Sequence, residues 1–250
     1  LPSPLSVAAA DDPVITEGLA RLLAEHLKVM GFNLHMGPVL ELAPELPDAP
    51  GSIYCFGSDP DFAGRAGIAM QSVFAEYGVL SMPMGFPGGG QNRKPRTQAV
   101  LLTPKPLLRQ ADLRPYLDVI DAGAQIIHVG NTLVPTLDDL SRPASLSPAV
   151  MRGLLRRDLG FEGVIVAGPL DSEDILSTHD AVEAAQLALE GGADLLYWLG
   201  PDNQMKRVIE RLAFLLGRQQ PLALAHALGS APHGPLGEPH RLRHLRSGDA

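Results

Sequence analysis

The sequence has very few of the residues that build several common kinds of site and anchor. Cys55 is the one cysteine among 250 residues, so an intrachain disulfide is excluded and the redox compartment stays open. No apolar run reaches the ~18 to 20 residues that cross a bilayer, and the first residues lack the basic start and apolar core of a secretory signal. Lys and Arg number 20 against 28 Asp and Glu. The resulting net charge of -8 disfavours a nucleic-acid surface or an anionic-membrane anchor.

The composition that remains favours one α/β domain with many loops. Hydrophobic residues make up 45% of the chain, which is enough for one sizeable core. The 26 Gly and 23 Pro indicate frequent breaks between short elements. Because the chain begins at Leu1 rather than Met, we expect a processed product or an excised fragment, from a compartment that the sequence does not identify.

Five apolar segments have the character of buried strands, and they alternate with helical patterns. The predicted strands are residues 32–42, 79–84, 124–129, 163–167 and 194–199. Asp12-Pro13 is predicted to begin a helix that runs to about Leu27, and Asp59-Pro60 a second over about 61–77. Further predicted helices cover about 107–122, 147–159 and 180–189, with a last one from Asp202. Continuously apolar strands separated by helices are typical of parallel sheets covered on both faces, which leaves a (β/α) barrel or a doubly wound sheet.

The C-terminal segment differs in composition from the rest of the chain. From residue 217 it is rich in Pro, Gly, His and Arg, without periodicity, and we predict a mobile tail over 217–250 after a domain of 1–216. Its four histidines, His226, His233, His240 and His244, favour no more than an adventitious metal site. No other pair of histidines has ligand spacing, and we predict neither a metal nor a cofactor. His35 and His128 lie in or beside apolar strands and are predicted to be interior groups.

Four segments, taken together with their spacing, point to a known family. They are Phe56-Gly57-Ser58-Asp59-Pro60, Phe86-Pro87-Gly88-Gly89-Gly90, Pro143-Ala144-Ser145-Leu146-Ser147 and Leu159-Gly160-Phe161-Glu162-Gly163-Val164-Ile165. From Leu1 to about Leu216 the chain resembles the N-terminal domain of glycoside hydrolase family 3, and most closely the bacterial β-N-acetylglucosaminidases that recycle cell-wall fragments. The resemblance implies a TIM-type (β/α) barrel. In that branch two strands precede the segment that resembles Leu1 to Ala10, so we expect an incomplete or irregular barrel.

The residues that carry the family's chemistry are missing at the matching positions. A retaining glycosidase needs a carboxylate nucleophile about 5 Å from a general acid. The resemblance puts the nucleophile at Gly168 and the acid/base histidine at about Thr97, and neither residue can perform these steps. Carboxylates just past the vacant position are candidate substitutes, because the active sites of barrels form at this face. They are Asp171, Glu173 and Asp174, although solvated loop acids are the simpler interpretation.

The positions that bind sugar in the family are also altered. The Lys-His pair and the later His of Lys-His-Phe-Pro-Gly-His-Gly fall on Met84, Gly85 and Gly89, and the substrate-binding Arg falls on Tyr54. The His that ends the strand after the Gly-Ala repeat falls on Gly130. Trp198 ends a predicted strand at the same face, where its ring could stack on a sugar or pack in the core or at the rim. The Gly88-Gly89-Gly90 run does not lead into a helix, as a phosphate cradle does.

Three hypotheses follow from this pattern. The first is a family 3-like domain that has lost catalysis and binds a carbohydrate, such as a muropeptide-like ligand, or a protein partner. The second is an active glycoside hydrolase of the β-N-acetylglucosaminidase or β-glucosidase type that uses a displaced carboxylate. The third is a structural subunit whose missing strands come from another segment, a partner chain or a homo-oligomer, since five strands leave exposed edges.

Overall fold

The computed structural model describes residues 1–43, 52–89, 98–140, 142–200 and 202–219. The helices are α1 (Pro4–Ala10), α2 (Pro13–Val29), α3 (Pro60–Glu76), α4 (Lys105–Leu108), α5 (Arg114–Asp121), α6 (Glu173–Leu176), α7 (Ala181–Gly191) and α8 (Asp202–Gln219), with a wider π-helix over Ala149–Asp158. The strands are β1 (Leu34–Val39), β2 (Leu80–Met84), β3 (Ile126–Val129), β4 (Val164–Ala167) and β5 (Leu195–Leu196).

Aspartate caps fix where the long helices begin. The side chain of Asp12 accepts a hydrogen bond from Val14 N–H at 2.8 Å, and that of Asp59 accepts from Asp61 N–H at 3.0 Å. Each cap precedes a proline in the first turn, where a missing N–H costs nothing. The predicted starts of these two helices are therefore confirmed, whereas the sequence analysis did not predict α1.

The strands are parallel and form two ladders joined by a bridge. One ladder pairs β1 with β2, the other has the order β3-β4-β5, and an isolated bridge links Phe86 after β2 to Val129 of β3. Helices pack on the outer face, where the side chains of Ile127 and Ile165 are fully buried. The fold is thus a TIM-type (β/α) barrel represented by five strands among the described residues, as the resemblance implies.

Two predicted elements are wrong in extent. The helix predicted over 107–122 is two helices, α4 and α5, because Pro115 lacks a backbone donor and lies in the first turn of α5, where that donor is not needed. The strand predicted over 194–199 is limited to Leu195–Leu196, since the backbone N–H of Leu199 turns away to the carboxylate of Asp171.

The C-terminal part of the chain is described only in its first helix. Leu1–Val208 form one compact unit, and the described residues from Ile209 to Gln219 belong to a second. α8 continues to Gln219, beyond the start of the predicted tail; the rest of that tail, with its four histidines, lies outside the described residues. The helices formed by the described residues include none that is long and apolar enough to cross a membrane.

Candidate functional site

A small cleft lies at the carboxyl ends of the strands. Its volume is about 230 Å³, and it is lined by Glu41, Ala99, His128, Gly130, Asn131, Thr132, Gly168, Pro169, Ser172 and Asp174. Larger grooves of about 490 and 470 Å³ lie between α2 and α3 and near the start of β2. We consider the smaller cleft the functional candidate, because parallel barrels place their sites at the carboxyl ends of the strands.

His128 forms part of the wall of this cleft and is locked in place by two hydrogen bonds. Its Nδ1 accepts from the backbone N–H of Gly85 at 3.3 Å, so Nε2 carries the proton and donates to the carbonyl of Gly168 at 2.8 Å. Burial lowers the pKa of His128 to about 4, and the bond to the Gly168 carbonyl opposes this only in part. The predicted interior role is confirmed, and the ring is neutral at pH 7.

Gly168 has a backbone conformation that accepts no ordinary side chain. Its φ is +139°, and a Cβ there would lie 2.6 Å from the carbonyl oxygen of Tyr197 and 2.9 Å from the nitrogen of Leu170. Both neighbours are backbone atoms, so they cannot rotate away. An aspartate at this position would therefore need the loop after β4 to move.

The side chain of Glu41 occupies the space next to Gly85 that a side chain at position 85 would need. The φ of Gly85 is +92°, and a Cβ at this glycine would collide with the Glu41 carboxylate. Glu41 thus lies where a side chain at position 85 would extend, and it reaches the cleft from the end of β1. Its negative charge also adds to the effect of burial in raising the pKa of the Cys55 thiol to about 12.

Asn131, the second residue after β3, lines the cleft and hydrogen-bonds to residues of two other loops. Its side-chain nitrogen donates to the carbonyl of Pro169 and to the hydroxyl of Ser172, both at 2.8 Å, and its side-chain oxygen accepts from Ser145 Oγ at 2.6 Å. The amide therefore ties the loop after β3 to the loop after β4. This satisfied network fixes the relative positions of two walls of the cleft.

The structure brings only some of the candidate carboxylates to the cleft. Asp174, in the first turn of α6, lines it. Asp171 does not; both of its oxygens lie 3.0 Å from the backbone nitrogen of Leu199, which makes it a loop-stabilising residue. Glu173 is exposed on the same turn as Asp174, outside the lining.

The positions predicted for ligand binding are similarly divided. Gly130 lines the cleft, whereas Tyr54 is 62% exposed on a 3-10 turn outside it. Met84 is outside the lining and packs against the cluster of Met82, Ile126 and Val166, and Gly89 is buried against Leu101.

Trp198 is not part of the cleft lining, and two other predicted positions lie outside the described residues. Trp198 is half-buried outside the lining, and its indole nitrogen makes no hydrogen bond with the described part of the chain. Thr97, the matched acid/base position, lies outside the described residues, as does Gly90.

Glu41, Asn131 and Ser172 are cleft residues that the sequence analysis missed. Glu41 and Asn131 stand two residues after a strand, which is the signal that could have identified them. The lining contains two carboxylates and, among its described residues, no Lys or Arg. Carboxylate oxygens of this kind can accept hydrogen bonds from hydroxyl groups. The described residues also contain no cluster of three or more His, Cys, Asp or Glu able to hold a metal.

Comparison with known proteins agrees with the architecture. The model of the glycosyl hydrolase family 3 N terminal domain matches residues 1–220. A β-hexosaminidase from Chromobacterium violaceum is 28% identical over 205 residues, which cover 80% of this chain and 56% of that protein. This chain therefore spans little more than half of the length of that relative.

Solved structures show the same fold. A family 3 β-N-acetylglucosaminidase from Paenibacillus superposes with a TM-score of 0.78 at 24% identity, covering 96% of this chain and 49% of its own. A family 3 glycosyl hydrolase from Mycobacterium smegmatis gives a TM-score of 0.74 at 26% identity, with 88% and 67% covered. Because the family model matches most of the sequence, the chain belongs to the N-terminal domain family of glycosyl hydrolase family 3 and is similar to β-N-acetylglucosaminidases.

Proposed function

We propose that this domain has lost glycoside hydrolysis and binds a carbohydrate in the cleft at the ends of β1, β3 and β4. The observation that carries this proposal is the state of Gly168, the position of the family nucleophile. Its positive φ and the backbone atoms around it leave no space for a carboxylate. Without a nucleophile the covalent route of a retaining glycosidase is closed.

The cleft itself favours a small sugar. Its volume of about 230 Å³ is below the ~300 Å³ at which drug-sized pockets begin, which suits one monosaccharide better than a longer chain. The carboxylates of Glu41 and Asp174 offer hydrogen-bond acceptors to the hydroxyl groups of a sugar. For a muropeptide-like ligand, we expect one sugar unit, and not the peptide, to enter the cleft, because the cleft is small.

Calorimetric titration with N-acetylglucosamine and with a small muropeptide fragment tests the proposal, followed by an assay of the same mixture for released sugar. Binding without release supports it. Release of sugar contradicts the loss of catalysis, and the absence of binding contradicts the role of the cleft.

A pair of glycine variants locates the binding. Gly130→Leu places a side chain in the cleft at a position where a Cβ has at least 3.8 Å of clearance, so it blocks binding without backbone strain. Gly18→Ala, in α2 with nothing within 4 Å of its Cβ, is the matched control and keeps the affinity. Equal affinities in the two variants would show that the sugar binds elsewhere.

A second candidate function is hydrolysis by an altered mechanism, and the position of Asp174 favours it. Asp174 and Glu41 line the same cleft, and paired carboxylates are the minimum equipment of a glycosidase. Turnover of a nitrophenyl β-N-acetylglucosaminide that disappears in Asp174→Asn and persists in Glu173→Gln would establish this function.

A further inference from the structure

The groove near the start of β2 lies at the end of the strands opposite to the cleft. Its volume of about 470 Å³ is within the range of small-molecule sites. The residues that line it are Gln71, Ser72, Ala75, Gly78, Val79, Leu80, Ser81, Ala122, Gly123 and Gln125. None of these lining residues is charged. The polar character of the groove therefore comes from amides, hydroxyl groups and the backbone.

Two helices end at this groove. α3 has its C-cap at Tyr77 and α5 at Ala122, and each cap is followed by a glycine with positive φ, +70° at Gly78 and +87° at Gly123. Glycine in this conformation ends a helix and turns the chain toward the next strand. Neither helix has a basic residue in its last turn. The negative ends of both helix dipoles thus face the groove without a cation supplied by the helices themselves.

Gln71 links the two helix ends and leaves one acceptor without a partner. Its Nε2 donates to the carbonyl of Ala122 at 2.9 Å, and because a carbonyl can only accept, this bond fixes which end of the amide is the nitrogen. The other end, Oε1, is buried and has no hydrogen-bond partner within the described part of the chain. A buried acceptor gains more from a donor than an exposed one does, since it has no water to give up.

The donors around the groove are already used within the fold. Four of them each donate to a protein carbonyl at 2.8 to 3.0 Å, namely the N–H groups of Gly78, Leu80 and Gly123 and the hydroxyl of Ser81. Ser72 and Gln125 are exposed, so their hydroxyl and amide groups can rotate to accept a hydrogen bond. The groove therefore offers acceptors to a ligand.

We propose that this groove binds a small organic ammonium ion, whose cationic group lies between the ends of α3 and α5 and donates to Oε1 of Gln71. An ammonium group has three donors and a positive charge, which match the unpartnered acceptor and the two negative helix ends. Ala75, Val79 and Leu80 supply an apolar lining for the carbon part of such a ligand.

Other ligands fit the groove less well. An anion would meet the unfavourable end of both dipoles. A bare metal ion would leave most of the 470 Å³ unfilled, and the described residues hold no cluster of three or more side chains suited to a metal. The proposal does not depend on sugar binding, because the cleft is at the other end of the strands and shares no lining residue with this groove.

NMR titration tests the proposal by following the backbone amide signals of the whole chain. The probe is cyclohexylammonium chloride, compared with neutral cyclohexanol at matched ionic strength. We expect saturable shifts at Gly78 and Gly123 with the cation, and about 10-fold weaker binding of the alcohol, because charge-assisted hydrogen bonds are the stronger ones. Shifts centred on Gly130 and Asn131 would place the cation in the cleft instead and overturn the proposal.

Two substitutions of one residue separate ligand binding from a structural role. Gln71→Met and Gln71→Glu both remove the donor to Ala122, but methionine also removes the acceptor, whereas glutamate keeps it and adds a negative charge. We expect the affinity for cyclohexylammonium to fall about 10-fold in Gln71→Met and to rise about 10-fold in Gln71→Glu. A purely structural role would change both affinities in the same direction, and that result overturns the proposal.

A third variant controls for net charge. Gln186→Glu adds the same charge at an exposed position of α7, where Gln186 bonds to Glu190, and it should leave the affinity unchanged. An equal gain in Gln186→Glu and Gln71→Glu overturns the proposal, because it would show only a general attraction of cations. Equal binding of cyclohexanol, or no saturable shift with the cation, overturns it as well.

Discussion

His128 and Gly168 are joined by a hydrogen bond from the imidazole Nε2 to the glycine carbonyl, 2.8 Å long. The bond connects β3 to the residue that follows β4 and lies in the wall of the cleft. Gly168 thus contributes its backbone, and not a side chain, at the position to which the sequence resemblance assigns the family's nucleophile. Gly168, which has no side chain, is therefore held in the wall of the cleft by a hydrogen bond to its backbone.

We therefore expect Gly168→Asp to restore no activity. The new Cβ would meet the backbone at Tyr197 and Leu170, and the residue would need a φ of +139°, which together cost about 2 to 4 kcal/mol of unfolding free energy. Urea unfolding measures the loss, and a nitrophenyl β-N-acetylglucosaminide assay measures the activity. Turnover by this variant would show that the loop after β4 adapts to a carboxylate.

Substitution by alanine separates strain from charge in this prediction. Gly168→Ala should destabilise nearly as much as the aspartate variant, because both add the same Cβ. Gly130→Ala, one loop away at the edge of the same cleft, should cost less than about 1 kcal/mol, since its Cβ would have at least 3.8 Å of clearance and its φ is not positive. Equal losses at the two glycines would contradict this interpretation.

At acidic pH, the free energy of unfolding should fall because His128 is buried as a neutral ring. Burial lowers its pKa to about 4, below the ~6.5 of the unfolded chain, so the folded state favours the neutral ring. The contribution to stability is complete above pH 6.5 and is lost as pH falls from 6.5 toward 4, by roughly 3 kcal/mol. Unfolding free energies measured by urea at pH 7 and pH 4.5 test this expectation, with His128→Gln as the control that cannot titrate. An equal acid loss in both proteins would exclude His128 as its source.

Much of the fold could be predicted because it depends on local patterns. Aspartate followed by proline marks the starts of α2 and α3, and continuous apolar runs mark the five strands. Where the prediction was wrong, a single residue decided the outcome. Pro115 lies in the first turn of a new helix in the middle of a predicted one, and the backbone of Leu199 bonds to the side chain of Asp171 instead of extending β5.

The site was harder to predict because it is formed by distant loops. The vacancy at Gly168 follows from comparison with the family motif, but its positive φ and its bond with His128 do not. Asp171, Glu173 and Asp174 are neighbours in sequence, yet only Asp174 reaches the cleft. The start of α6 and the loop before it decide which of these three acids lies in the cleft. The periodicity of the sequence does not predict this.

Glu41 should be a main determinant of sugar affinity. Its carboxylate lies in the space above Gly85 and lines the cleft, where it can accept a charge-assisted hydrogen bond from a hydroxyl group. Such bonds contribute about 1.5 to 3 kcal/mol, so Glu41→Gln should weaken binding about 10- to 100-fold by calorimetry. Glu173→Gln removes an exposed acid outside the cleft and should leave the affinity unchanged. A similar loss in both variants would indicate a long-range charge effect.

Arg156 should stabilise the start of β4 far more than its neighbour Arg157 does. The guanidinium of Arg156 donates to the carbonyls of Phe161 and Gly163 and to the carboxylate of Asp194 at 2.6 Å, and that carboxylate also accepts from Ile165 N–H at 2.8 Å.

Lysine keeps the charge but cannot make the forked set of bonds, so Arg156→Lys should lower the unfolding free energy by about 1 to 3 kcal/mol. Arg157→Lys is the matched control on the same helix; its guanidinium is 75% exposed and pairs only with Asp158 among the described contacts, so the change should be below about 0.5 kcal/mol. Urea unfolding compares the two variants. Equal stabilities would mean that the packing of the π-helix, and not this network, holds β4 in place.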